Sequence, residues 1–480
     1  MQSSMVWHHG SAVDIGWVLR SLERSARLRV VSDEDLSKDV RNKVQEFLED
    51  DPGFQFAKDA GPILKMPPLI RVSPARILHE LGRATVFLDD SPFAQAARHW
   101  AHLRYCTTLA SENFLTLSRY GFDVVHHHKQ VQSEQLGIGL AIVVAKDALH
   151  RLHPGWEFTA VDADVALDVG FIKGVGPIRQ VAGTRKRPDY FLVGRRLYGK
   201  GGAFKMVILE CKGTHRSKAF VIEQLARASV QVRTVEIGNR VPTGFMIGSY
   251  LSGSEIISYA LDPPGVDEMW QGSGKEMDRL LKENPGDRSW YPTIPEPTTT
   301  AAGEGSEEGA PEDDTVESSL ADDWVPGAPP IYQIPEEERS WFFRVLARTA
   351  AATALAFAGN TAAAAELGTP RQRAEEDRDH QLLLDVQPRW RGDTTKTVRL
   401  ADGLSFEGTA SRMALPDNSE LEVFRGVESR LYGYLAEGRV GPYIRASNRL
   451  WRRWSQPAPS GNEVISVGAD GTALIIRRAR

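Results

Sequence analysis

The sequence predicts an α/β protein: one mixed sheet flanked by helices, a mostly helical N-terminal region and a small α+β C-terminal domain. Three observations lead there. Between Trp156 and Leu251, apolar runs of strand length alternate with helical stretches and Gly-containing turns. The first hundred residues carry repeated helix-start signals. Between Arg288 and Arg339 there is no Lys or Arg, and "PEPTTTAAGEGSEEGAPEDDTVESSLADDWVPGAPP" has too little apolar material to offset its ordering entropy. That stretch divides the chain.

The 480 residues exceed what one core holds. With 41% hydrophobic and 25% charged residues the composition is that of a soluble globular protein. A net charge of −5 excludes a globally basic nucleic-acid binder, so contact with nucleic acid must rest on local basic surface. Two cysteines, Cys106 and Cys211, are too few for a disulfide framework or a CxxC metal site and fit a reducing, cytoplasmic compartment. "MQSSMVWHHGSAVD" has neither a basic nor an apolar segment, so no signal peptide is predicted. The most apolar long window, Trp341 to Ala358, is interrupted by Arg344 and Arg348. It reads as an Ala-rich helix covered by protein, and no membrane partner is expected.

Residues 1–125 are read as the helical region. Ser32 with Asp35 resembles a capping box, and Ser73-Pro74 and Ser91-Pro92 place an N-cap type before Pro. The helix from Ser91 is expected to run toward Tyr120, with Gly121 ending it. Residues 126–265 are the expected core. "LGIGLAIVVAKDALHRL" is a helix apolar nearly all round, and "WEFTAVDADVALDVGF" reads as one or two strands. "RPDYFLVGRR" and "FKMVILECKG" form a hairpin about "YGKGG". "SKAFVIEQLARASVQVRTVEIG" is a helix capped by Ser217, and "TGFMIGSYL" is a last strand. Residues 266–330 form the acidic linker. Residues 331–480 begin with the helix of "PEEERSWFFRVLARTAAATALAFAG" and continue from about Thr397 as short strands.

The chemistry concentrates at "FKMVILECKG". Residues two apart on a strand share a face, so Glu210 and Lys212 point one way and Cys211 the other. The hairpin brings Asp189 beside Glu210. Two adjacent carboxylates repel, and a divalent cation relieves them. Hard oxygen ligands suit Mg2+ or Mn2+, and an adjacent ammonium can orient water and balance developing charge.

Pro188-Asp189 followed by Glu210-Cys211-Lys212 resembles the PD-(D/E)xK, or restriction-endonuclease-like, nuclease superfamily, over roughly Glu134 to Leu251. The resemblance implies a restriction-endonuclease-like core. It implies a metal held by Asp189, Glu210 and the backbone carbonyl of Cys211, with Lys212 assisting the attacking water. A third acid from the preceding helix is Glu134 or Glu112, with Glu134 preferred because it is nearer the motif. Gln224 would orient substrate or the lysine, on a stripe with Arg227 and Gln231. The Tyr that RecB-like members carry four residues after that Gln is absent, since Ala228 stands there. The implied partner is nucleic acid, DNA favoured over RNA, with a homodimer or protein partner through the flanking regions. A lone nuclease core with such flanks resembles a bacterial antiviral-defence or restriction-type effector. Two alternatives remain open: a catalytically silent nucleic-acid-binding scaffold, and a toxin-like RNase.

Weaker signals have plainer readings. "RASNRLWRRWSQ" puts Arg445, Arg449, Arg452 and Arg453 among Trp451 and Trp454, which suits either phosphate and base contacts or an amphipathic helix. Arg477 and Arg478 near the end could extend it. "TRKR", Thr184 to Arg187, sits at the rim of the expected site, like Lys200 and Lys218. His8-His9 and His126-His127-His128 lack the partner spacing of a zinc site.

Overall fold

The computed structural model describes residues 15–86, 94–168, 178–180, 187–197, 201–281, 332–367, 394–414, 419–451, 454 and 462–479. The Ser91 cap, Tyr198 to Lys200 of the "YGKGG" turn, Thr184 to Lys186 of "TRKR", His8-His9, Arg452, Arg453 and residues 282–331 lie outside them.

The N-terminal region contributes α1 (Ile15–Glu23), β1 (Ala26–Val31), α2 (Glu34–Asp50), β2 (Gly61–Pro62), β3 (Leu69–Val72) and α3 (Pro74–Ala84). Ser73 caps α3 as its sequence suggests, its side chain accepting from Arg76 N. At α2 the cap is Asp33 rather than Ser32. Asp33 accepts from Leu36 N at 2.8 Å, and the Ser32 hydroxyl instead accepts from Ile63 N. The helix expected toward Tyr120 is shorter. α4 (Ala94–Tyr105) stops, and β4 (Leu109–Ser111) and β5 (Leu115–Leu117) form a hairpin before the single turn α5 (Arg119–Phe122). Leu109, Leu115 and Leu117 are buried there, a period-2 pattern that wins over helix continuation.

The middle of the chain follows with α6 (His126–Leu152), β6 (Trp156–Asp162), α7 (Ala163–Asp168), β7 (Arg179–Gln180), β8 (Tyr190–Arg196), β9 (Gly201–Thr214), α8 (Lys218–Gln231), β10 (Val235–Ile237), β11 (Gly244–Tyr250), β12 (Ile257–Asp262), β13 (Glu268–Ser273) and α9 (Gly274–Leu281). The "DADVALD" portion read as strand is a helix, because the Asp162 carboxylate accepts from Val165 N and starts a turn.

These strands form one curled, mixed nine-stranded sheet, ordered β3-β1-β12-β11-β9-β8-β6, with β13 beside β9 and β2 beside β12. The N-terminal region is therefore part of the sheet: β1 runs parallel to β12, and β3 is antiparallel to β1. β8 and β9 are antiparallel with Tyr190 opposite Leu209, and β9 continues parallel to β11 through the α8 crossover. β13 and α9 fall within the span 266–330.

Each face of the sheet is covered. Val207, Leu209 and Cys211 of β9 pack into one core with α6, α3 and α1 residues, while Met206 and Ile208 pack into a second with α8 and α10 residues. Leu136, Leu140, Val143 and Val144 of α6 have no exposure, and each such burial contributes about 1.5–3 kcal/mol. Glycines allow α6 its close approach: a Cβ on Gly213 would sit 1.9 Å from the Ser133 carbonyl oxygen.

The C-terminal part begins with β14 (Tyr332–Ile334), parallel to β10 and antiparallel to β7, then α10 (Arg339–Phe357) and α11 (Thr361–Leu367). α10 is buried along most of its length, including Arg348. A separate antiparallel sheet follows: β15 (Thr394–Arg399), β16 (Ser405–Ala414), β17 (Glu420–Glu428), β18 (Glu463–Val467) and β19 (Thr472–Arg478), in the order β15-β16-β17-β19-β18. Between β17 and β18 lie α12 (Ser429–Ala436) and α13 (Val440–Trp451). No helix among the described residues is long and apolar enough to cross a membrane.

Candidate active site

The hairpin register places Asp189 immediately before β8, level with Glu210 near the end of β9. The pairing is reciprocal. Asp189 N donates to Glu210 Oε2 at 3.0 Å, and Cys211 N donates to Asp189 Oδ2 at 2.7 Å. Lys212 Nζ donates to Glu210 Oε1. Strand alternation sends the Cys211 thiol into the α6-side core, so only its backbone belongs to this network.

Glu210 has no solvent exposure. Burial, followed by the charge of Asp189, pushes its carboxyl up to about 8, although Lys212 opposes the shift. Burial also raises Asp189 against the pull of Lys212. For Lys212, burial would lower the ammonium, but the Glu210 and Asp189 carboxylates outweigh it and hold it above its ordinary value. At neutral pH Glu210 therefore keeps its proton, a neutral carboxyl held between Asp189 and the Lys212 ammonium.

Asp189, Cys211 and Lys212 line an open cleft of about 940 Å3, with the fully buried Glu210 beneath them. The first half of α6 supplies His126, Lys129, Ser133 and Glu134, and the start of α8 supplies Phe220 and Gln224. Glu134 thus lies in the same cleft as Asp189, whereas Glu112, beyond the end of β4, lines a different one. Gln224 lines the cleft and its Oε1 is buried without a hydrogen-bond partner. The other two members of its stripe go elsewhere. Arg227 pairs with Glu223 and lies 4.6 Å over the Phe47 ring of α2, and Gln231 reaches the Arg187 carbonyl at 3.4 Å. Among the described residues, no group of three or more His, Cys, Asp or Glu side chains is gathered to hold a metal ion.

Sequence reasoning missed Asp162, Asp164 and His215 in this cleft. Arg187 forms an ion pair with Asp164, tying the residue two before Asp189 to α7. His215, two residues past Gly213, is pushed down to about 4 by burial, then by Lys129, so it is neutral at physiological pH. The "DAD" after β6 was a usable signal for Asp162 and Asp164. Nothing local to His215 marks it.

Of the weaker sequence signals, Arg445 pairs with Asp278 and Arg477 with Glu422, so both are structural, while Arg449 and Arg478 are exposed. Lys218 contacts Asp39 at 3.6 Å across the α8–α2 surface. Set against protein-family models, curated proteins and solved structures, the chain matches none.

Proposed function

We propose that the protein is a metal-dependent nuclease with a restriction-endonuclease-like core, hydrolysing phosphodiester bonds with DNA as the favoured substrate. The observation that carries this reading is the reciprocal pairing of the half-buried Asp189, which lines the cleft, with the fully buried Glu210 beneath it and Lys212 beside both. A role as an antiviral or restriction-type effector belongs to the same proposal and rests on the flanking regions.

The donor set fits Mg2+ or Mn2+ in its chemistry. Glu210 is a fully buried carboxyl raised to about 8 beside a second acid, the condition a divalent cation relieves. Two carboxylates suffice for Mg2+, which keeps waters and substrate oxygens as its remaining ligands. Asp189, Glu210 and the Cys211 carbonyl would hold it, with Glu134 facing the same cleft. When bound, the ion supplies Lewis-acid polarisation of the phosphate and a more acidic water.

The chain's own groups do the rest. Lys212, released from Glu210, would orient the attacking water and offset charge building on the phosphate oxygens. The Gln224 Oε1 is placed to accept from that water or from the Lys212 ammonium. Lys129 and Arg216 line the same cleft and would hold flanking phosphates.

The test is a cleavage assay with supercoiled plasmid, linear duplex and total RNA. Each is incubated with Mg2+, with Mn2+ and with EDTA, for the full chain and for Lys212→Ala. Cleavage that needs metal and vanishes in the variant is expected. Cleavage of RNA alone would convert the reading to a toxin-like RNase. The Lys212–Glu210 contact, with no three-acid cluster among the described residues, favours a second reading, a silent nucleic-acid-binding scaffold. Equal nucleic-acid binding by both forms, with no substrate cut, would establish it.

A further inference from the structure

A second cleft, of about 1220 Å3, lies where the N-terminal region, the second half of α6 and the C-terminal sheet meet. It shares no residue with the cleft at Asp189. Three kinds of side chain line it. Arg20 and Arg24 near the end of α1, Arg71 on β3 and Arg76 on α3 form a cationic rim. Among the described residues none of the four has an ion-pair partner. Trp451 and Trp454 stand at right angles with ring centroids 5.7 Å apart, making an aromatic corner. The Trp454 Nε1 donor is buried without a hydrogen-bond partner.

The floor is polar and buried. Lys146 donates to Glu80 Oε1 at 2.6 Å, and His79 sits between Ser466 Oγ and Thr472 Oγ1, each at 3.0 Å. Glu157 is 8% exposed, and its Oε2 has no hydrogen-bond partner, since His150 stands 3.7 Å away. A fold does not ordinarily leave a buried carboxylate oxygen and a buried indole N–H without hydrogen bonds beside an open cavity, because each loses its hydration with nothing in return.

We propose that this cleft binds a nucleotide, with the base against the Trp451–Trp454 corner and the phosphates on the arginine rim. A purine or cytosine ring gives the indoles a face to stack on, and its exocyclic amino group matches the open Glu157 oxygen. A ring nitrogen or carbonyl matches the Trp454 donor. Arginine forks suit phosphate oxygens bidentately. Glu23 and Glu112 share the rim, so the guanidiniums act as local contacts and not as a field of one sign. A bare anion would use only the rim and leave the Trp454 donor and the Glu157 oxygen unmatched.

Binding of AMP, ATP, GTP and inorganic triphosphate to the full chain would be measured by titration calorimetry and by the shift in Tm. EDTA would be present throughout, so that metal-bridged phosphate at Asp189 does not contribute. Saturable binding of at least one nucleotide is expected, tighter than triphosphate. The double variant Arg71→Ala/Arg76→Ala should weaken it about tenfold or more, and Lys212→Ala should leave it unchanged. Absence of binding by every nucleotide would overturn the proposal. So would triphosphate binding as tightly as ATP, or undiminished nucleotide binding by the double variant with its Tm retained.

Discussion

Glu210 at the tip of β9 and Glu422 on β17 are buried to the same degree, with exposures of 0% and 1%. Their surroundings differ. Glu422 accepts from Lys396 at 2.8 Å, Arg412 at 3.0 Å and Arg477 at 2.8 Å. Burial would raise its carboxyl, but those three cations outweigh burial and hold it at about 2. Glu210 has one cation and a second acid beside it, and is raised to about 8. A buried carboxylate with its charge matched is a structural strut. One left undermatched beneath a cleft is in the condition that a cation from outside would relieve.

The largest effect expected from breaking this contrast is on chemistry. Glu210→Gln should lower metal-dependent cleavage by about a thousandfold or more, as loss of a metal ligand does. Its Tm in EDTA at neutral pH should stay level, because Glu210 already holds a proton there and Gln is a neutral group of the same shape. A fall of many degrees would mean that Glu210 is a strut after all. Glu422→Gln should do the reverse. It leaves a buried amide facing three partly exposed cations and costs about 1–3 kcal/mol, read from denaturant unfolding, with residual cleavage following only the folded fraction.

The pH dependences should also have opposite signs. In EDTA, native Glu210 keeps a proton up to about pH 8 that the unfolded chain releases near 4.5. Its contribution therefore declines as pH rises through that window. Glu422 contributes fully above about 4.5, and its contribution is lost as pH falls toward 2. Thermal unfolding of wild type against each Gln variant across pH 3 to 9 isolates the two slopes; slopes of the same sign would dissolve the contrast. Metal binding must displace the Glu210 proton, so Mn2+ affinity should rise up to about tenfold per pH unit below about 8. The smallest effect concerns the third acid. Glu134→Gln should weaken Mn2+ binding about tenfold and Glu112→Gln should not change it. The opposite result would exchange their roles.

How much of this was legible depended on how far apart in sequence the interacting residues are. The hairpin register, the shared face of Glu210 and Lys212, the Ser217 cap and the apolar α6 follow from local periodicity, and the structure has them. The parallel pairing of β1 with β12 joins segments more than two hundred residues apart, and no local pattern encodes that choice of edge. Arg227 looked like a substrate contact on the α8 stripe until α2 supplied Phe47 beneath it. Asp162 was hidden because "VDADVALD" suits a strand by composition, while the helix depends on one side-chain cap. The second cleft draws on residues from Trp17 to Ala469; the sequence marks Trp451 and Trp454, but only the folded chain sets the arginines of α1, β3 and α3 in the same cleft.

α6 is 27 residues long, about 40 Å from end to end. Its first turns carry Lys129, Ser133 and Glu134 at one cleft, and its later turns carry Lys146, Asp147 and His150 at the other. Gly137 and Gly213 seat it against β9 so closely that a sideways give of one methyl is too much. One unbroken helix therefore builds a wall of each cleft and fixes the span between Glu134 and Lys146.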